Sequence, residues 1–450
     1  GQRHASATGP VADADGHRPP LQASGDSRGD GDILPLPVIP YASFLYFAVA
    51  GLYVLLPIAL ARTIRAGAGA WWRQAGILAA TALMLAIQYS GQLDPNVPSS
   101  LRQIWAVLLY AAGQYLVAAA LLAYRTRGRA KWPGYLAVAL ALGPLLVAKF
   151  LPLNAAAAAA GPAGAPGAAG LVEFIGLSYA TLRAIDVLIE IHDGLIKTLS
   201  PGQYFAFLVF FPTVSSGPID RFRRFAADWH APLSRTGFFE DLDGAVHRIF
   251  TGFFYKFIVA HLIYERWLKH IPANPTWGHS LSYMYGYSAY LFFDFAGYSA
   301  FAIGFSFLLG IHTPENFARP FLSRNIREFW TRWHITLSFW FRDFVYMRFL
   351  LFVFKKRWFR NKHSAAYLAN LLTFGLMGFW HGTEPRYLVY GVYHAALVTG
   401  HDLFARWNKP HPDQPARIWG SGWPWQAAGI LVTLHAVCFG FLIFSGRRFY

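Results

Sequence analysis

From Tyr41 onward the chain is a succession of long apolar runs, separated by short loops that carry most of the charge. A run of about 20 residues is what an α-helix needs to cross the ~30 Å hydrocarbon core of a bilayer, where no water is present to satisfy an open backbone. The runs fall at 41–61, 74–90, 101–123, 133–153, 171–197, 202–216, 244–264, 281–311, 329–354, 365–383, 386–405 and 426–445. The run 281–311 reads as two elements, and 202–216 is short enough to dip in and return. The expected fold class is an all-α polytopic membrane protein, with about 11 transmembrane helices plus interfacial or re-entrant helices.

Composition agrees. Only 14% of residues are charged, against about 25% in a soluble domain, so there is too little polar surface to coat a soluble particle of this size. The single Cys excludes an internal disulfide and a Cys-based zinc site. The formal charge of +16 fits basic cytoplasmic loops, and nucleic acid is not needed to explain it.

Residues 1–32 are rich in Gly, Ala, Pro, Asp and Ser without apolar periodicity, and read as a disordered tail rather than a signal peptide. Residues 33–450 read as one membrane domain, interrupted by an Ala/Gly/Pro tract at 154–170 that reads as a flexible external loop. Arg62, Arg65 and Arg73 follow the first span, and Arg125, Arg127, Arg129 and Lys131 follow the third, while the loop around Asp94 and the tract 154–170 lack basic residues. The start of the chain is thus expected outside and the basic loops in the cytoplasm. Arg221, Arg223, Arg224 and Arg235 also belong in the cytoplasm, which simple alternation does not allow if 171–197 and 202–216 both cross.

Polar residues inside apolar spans are costly and are therefore functional candidates. One group is Glu173, Arg183, Asp186, Glu190, His192 and Asp193. It is either an interfacial helix with a solvated charged edge or a polar seam inside the bundle. The second is 324–348. Read as one helix at 100° per residue, it puts Arg327, Thr331, His334, Ser338 and Arg342 on one stripe and Phe329, Trp333 and Trp340 opposite. Such a helix is an interfacial anchor or one wall of a polar cavity. The third is His381, which follows eleven uncharged residues and is flanked by Gly378 and Gly382, a small-xxx-small pair that admits a second backbone. That histidine is either an interhelical hydrogen-bond partner or a group that moves a proton or binds a metal or haem. Cys438 reads as packing, and His394 and His401, seven apart, match haem ligands only if a facing helix supplies another pair.

The stretch FWTRWHITLSFWFRDFVYMR (329–348), followed by MGFWHG (377–382), resembles the membrane-bound O-acyltransferase family. Its Arg332-Trp333-His334 and Phe379-Trp380-His381-Gly382 match the family's two histidine motifs. Arg342 to Arg348 is most similar to the branch that transfers D-alanine to envelope polymers and differs from alginate O-acetyltransferases. The stretch Ile175–Gly194 is also similar to the family, and the resemblance covers about residues 40–445.

The resemblance implies an O-acyltransferase in the bacterial cytoplasmic membrane. Its donor would be a phosphopantetheine thioester on an acidic D-alanyl carrier protein, and its acceptor the hydroxyl of an envelope polymer such as teichoic acid. A membrane-anchored partner would complete the transfer, with no bound cofactor and no metal. It makes His381 the general base and His334 a second polar wall, with Trp380 N–H or a backbone amide near Gly382 facing the oxyanion. Arg332 joins the substrate site, and carrier protein is expected at Val345, Met347 and Arg348, helped by Lys355, Lys356 and Arg357. The helices are expected to ring a central funnel with 324–348 on its cytoplasmic side. The alternatives are O-acetylation of an envelope polysaccharide, a transporter or flippase using 173–193, and a haem protein.

Overall fold

The computed structural model describes residues 46–47, 50–51, 70–89, 101–128, 130–158, 174, 176–231, 235–272, 276–409, 420 and 422–447, all within the compact unit Leu36–Tyr450. The tail 1–32, most of the run 41–61, Glu173 and the greater part of the tract 154–170 lie outside the described residues. The first five residues of that tract continue the helix Trp132–Ala158.

Among the described residues the chain is helical, and the one β-type pairing is an isolated bridge between Phe317 and Trp333. The helices are α1 Ala70–Tyr89, α2 Leu101–Arg127, α3 Trp132–Ala158, α4 Leu177–His192, α5 Pro201–Leu208, α6 Phe222–His230, α7 Arg235–Phe253 and α8 His261–Arg266. They continue as α9 Trp277–Leu308, α10 Ile326–Trp330, α11 Ile335–Phe341, α12 Met347–Lys356, α13 Lys362–His381, α14 Pro385–Trp407 and α15 Trp423–Ser445. Wider π-helical segments, Phe254–Ala260 and Arg342–Tyr346, carry α7 into α8 and α11 into α12. Four described helices are long and apolar enough to cross a membrane: Ile104–Arg127, Trp132–Phe150, Trp277–Leu308 and Trp423–Ser445.

The run 281–311 is one element, not two. Thr276 starts α9 with a reciprocal cap: its hydroxyl accepts from His279 N–H, and the His279 ring accepts from Thr276 N–H. No proline interrupts the 32 residues that follow. At 1.5 Å per residue this helix is about 48 Å long, more than the hydrocarbon thickness, so it must tilt or project. Its small residues face α7: a Cβ added at Gly297 would lie 3.1 Å from Gly252 O, and one added at Gly304 would lie 3.1 Å from Ala245 O.

The run 202–216 is an eight-residue helix followed by turns, about 12 Å of helix and too short to span. Ser200 caps it and Pro201 sits at its first position. Nor is α4 an interfacial helix with a solvated edge. Arg183, Asp186 and Glu190 are all buried. The Arg183 guanidinium donates to the carbonyls of Phe207 (3.0 Å), at the end of α5, and Thr213 (2.9 Å), in the turns that follow, and so ties α4 to both. Arg221 bridges Asp186 (3.0 Å) and Asp343 (2.8 Å), and Arg223 pairs with Glu190 (3.1 Å). The two buried carboxylates of α4 are thus each neutralised by an arginine that reaches in from a more exposed position.

The segment 324–348 is not one helix, so the stripe computed at 100° per residue does not exist. Asn325 caps the short α10 by accepting from Glu328 N–H at 2.9 Å. The helix stops at Thr331, and His334 takes left-handed backbone angles (φ 43°, ψ 50°) before α11 begins. The break separates the expected stripe: Arg327 turns outward to pair with Asp402 and Arg342 pairs with Asp343, whereas His334 goes inward. Phe329, Trp333 and Trp340 are buried, and Trp340 N–H donates to Leu182 O at 3.1 Å.

Candidate active site

The hairpin of α13 and α14 turns at Gly382–Glu384, where Pro385 restarts the helix. The two backbones touch. A Cβ at Gly378 would lie 2.2 Å from Tyr387 O, and one at Gly391 would lie 2.3 Å from Phe374 O, so neither position has room for a side chain. The expected second backbone beside Gly378 is therefore α14, while Gly382 meets the Tyr387 ring. This approach fixes the last turn of α13, which ends on His381.

His334 and His381, 47 positions apart in sequence, line one cavity of about 70 Å³. Its remaining walls are apolar and aromatic: Leu291 and Phe295 from α9, Trp330, Trp333 and Leu337 beside the break, Met377 from α13, and Tyr390, Phe441 and Phe444. The volume holds a few waters or a small acyl group, not a long carrier arm. The two histidines are held differently. His381 is packed by rings: Trp380 at 4.9 Å and Phe444 at 5.1 Å between centroids, both edge-on. No described residue hydrogen-bonds its imidazole, which leaves the ring nitrogens for what enters the cavity. His334 is buried, with Phe295 edge-on at 4.9 Å. Its Nδ1 is 3.1 Å from Asn316 Oδ1, and its Nε2 is 3.5 Å from the Tyr179 hydroxyl, a long and weak contact.

Trp380 does not line the cavity, but it neighbours His381, and its buried Nε1 has no hydrogen-bond partner. Tyr179 lies edge-on to its ring at 5.2 Å. The Lys149 ammonium caps the end of α13, donating to Trp380 O and, at 3.4 Å, to Phe379 O. Arg332 is outside this constellation: it pairs with Glu328 at 2.5 Å.

On the other expected surface, Met347, Lys355 and Lys356 are exposed and Val345 is half-buried, whereas Arg348 is engaged by Asp193. Leu351, Phe352, Phe354 and Trp358 are exposed around the lysines. Cys438 is buried, as expected of packing. His394 is enclosed by aromatic rings, with Tyr390 at 4.5 Å and Trp330 at 5.0 Å, and no metal-binding cluster occurs among the described residues.

Hydropathy and periodicity did not single out Asn316 or Tyr390. Asn316 lies in a polar connecting segment, where no period marks a buried residue, and Tyr390 looks like any aromatic of an apolar span. Tyr179 sits in a stretch that resembles the family, but a lone tyrosine there carries no sign of its contact with His334.

The family model described as the membrane-bound O-acyltransferase family matches residues 176–444, which contain every residue of this cavity. The chain belongs to that family. It is a membrane protein and an O-acyltransferase. It is 40% identical to the teichoic acid D-alanyltransferase of Bacillus subtilis over 91% of this chain and 99% of that protein. With the teichoic acid D-alanyltransferase of Lacticaseibacillus rhamnosus it shares 39% identity over 76% of this chain and 84% of the other. The probable alginate O-acetylase of Pseudomonas syringae pv. tomato is 34% identical over 59% of this chain and 48% of its own length. Family membership replaces the transporter and haem readings.

Proposed function

We propose that this acyltransferase moves D-alanine from a phosphopantetheine thioester on an acidic carrier protein to a hydroxyl of an envelope polymer, teichoic acid or a similar chain. The observation that carries the reading is the cavity walled by His334 and His381, in a chain alike to a D-alanyltransferase along 91% of its length. O-acetylation is less favoured, because the likeness to an alginate O-acetylase covers 59% of the chain.

In this reading His381 is the general base. Its ring nitrogens are uncommitted, and neutral imidazole suits removal of a hydroxyl proton near neutral pH. The thioester is already activated, so the chemistry needs neither a metal nor an acyl-enzyme. The buried Trp380 N–H, unpaired in the resting site, is a donor in reserve for the developing oxyanion. His334 forms the opposite polar wall. Arg332, paired with Glu328, lies outside the cavity lining.

The carrier docks on the cytoplasmic face of α12. Val345 and Met347 offer apolar contact, Lys355 and Lys356 offer charge, and Arg348 bridges to Asp193 at the edge. We assign residues 33–450 to a single membrane domain of the bacterial cytoplasmic membrane, with about 11 crossings ringing a funnel that narrows at His381, and residues 1–32 to a tail. A membrane-anchored partner completes transfer outside. The test is reconstitution in vesicles with D-alanyl and acetyl carrier protein side by side. Label reaching a hydroxyl polymer from the D-alanyl donor supports the reading, and transfer from the acetyl donor alone overturns it.

A further inference from the structure

Asn316 is completely buried in the segment after α9, and its side-chain oxygen is shared by three groups. Thr336 Oγ1 is 2.9 Å from Oδ1, His334 Nδ1 is 3.1 Å away, and the backbone nitrogen of Thr336 is 3.3 Å away. A backbone N–H can only donate, so the atom it meets is the amide oxygen and not the amide nitrogen. The Thr336 hydroxyl accepts from Ile219 N–H at 3.0 Å, which leaves its own hydrogen for Asn316. The amide nitrogen points the other way, to Ser299 Oγ at 3.4 Å. With the oxygen so fixed, His334 Nδ1 must carry a hydrogen. The bare nitrogen of the neutral ring is then Nε2, whose one hydrogen-bond contact among the described residues is the long one to Tyr179.

We infer that Asn316 is a positioning residue for acyl transfer, confining all proton exchange of His334 to Nε2. The inference rests on the O-acyl transfer proposed for this cavity. As the acceptor oxygen bonds to the carbonyl carbon and the C–S bond breaks, the hydroxyl proton leaves to His381 and the departing sulfur requires one. His334 receives that proton from His381 at Nε2 and releases it from Nε2 to the sulfur, so an ester and a free thiol result. An imidazole with both nitrogens able to titrate could turn the wrong one toward the cavity. An orienting acceptor on the far nitrogen removes that loss.

Asn316 also supports the left-handed turn, since Ile335 N–H donates to its carbonyl at 3.0 Å, so the test must separate support from positioning. Steady-state kinetics in reconstituted vesicles are measured for wild type, Asn316→Asp, Asn316→Leu, His334→Ala and the His334→Ala/Asn316→Leu double variant, with melting temperature as the fold control. Removing such an orienting partner is expected to lower kcat about 10–100-fold in Asn316→Leu, with KM for the carrier unchanged. Asn316→Asp, which keeps an oxygen acceptor, should retain most of kcat. In the His334→Ala background Asn316→Leu should cost nothing further in kcat. An equal loss in both backgrounds overturns the inference. Should Asn316→Leu fail to accumulate, Asn316→Asp decides: a folded variant with wild-type KM and kcat down 100-fold or more overturns it. Wild type is assayed with both donors, so a failure of the D-alanyl reading shows in wild type, whereas a failure of this inference shows only in the variants.

Discussion

The two histidine walls of the cavity are built by opposite means. His381 ends a regular helix whose position is set by a backbone-to-backbone approach at Gly378, and rings alone hold its imidazole. His334 sits in a break between two short helices, in an unfavourable backbone conformation, and is held by hydrogen bonds through Asn316. Packing leaves a group chemically free, whereas a hydrogen-bonded hub commits one nitrogen and orients the other. One wall can therefore offer open nitrogens and the other a directed one.

The largest expected effect comes from removing the free group. His381→Ala should lower D-alanine transfer by about 10²–10⁴-fold while carrier binding and the melting temperature stay near wild type. Transfer assays at matched expression check this. Activity near normal would return His381 to a packing role and erase the contrast. Next is the approach that places it. Gly378→Ala puts a methyl against Tyr387 O, backbone that cannot swing aside, so overpacking of about 1–3 kcal/mol is expected together with lost transfer. Gly113→Ala, where nothing lies within 4 Å, serves as the neutral control in the same thermal melts. A Gly378→Ala protein as stable and active as Gly113→Ala would show that α13 is not placed by this contact.

How much of this was legible beforehand follows the same division. The His381 wall could be read because regular helices obey a period and glycines announce close contact. The apolar runs gave the membrane class for the same reason. The His334 wall could not be read from a period, since α10 and α11 are too short to sustain one and the break is made by contacts to Asn316 and Glu328, remote from the hydropathy pattern. Whether Arg183 and Asp186 are solvated or form a polar seam stays open in the sequence, because it shows a charge but not the carbonyls and arginines that surround it in the fold. The 32 residues of α9 looked like two elements because their length exceeds one bilayer crossing.

A smaller effect tests the surface beyond both walls. Lys355→Glu with Lys356→Glu should cut the apparent second-order rate with carrier about tenfold at low salt, less as salt rises, with kcat unchanged. A stopped-flow binding series across ionic strength would expose an unaltered on-rate.

The smallest concerns a third histidine, held by charge. His312 lies between the carboxylates of Asp228 and Asp241, which raise its pKa to about 9 from an ordinary 6.5. A raised folded-state value means the contribution to stability is complete below about 6.5 and is lost as pH climbs through about 9. The side chain is half exposed, so the effect is modest. Melting temperature followed from pH 6 to 10 should fall slightly more in wild type than in His312→Gln, and parallel curves would remove the ion pair from the account.

The burial of α4 has a consequence for how the protein is made. Its Arg183, Asp186 and Glu190 find their partners at Phe207, Thr213, Arg221 and Arg223, all later in the chain. When residues 177–192 leave the ribosome those partners do not yet exist, and each unpaired charge would oppose entry into lipid by about 2.5–3.5 kcal/mol. The segment must wait at the translocon or the bilayer edge until the next 30 or so residues arrive. It then enters as one folded packet with them. Joint insertion of residues 177–224 is therefore the expected route, and a ribosome stall between 192 and 221 should leave α4 accessible to water-borne labels.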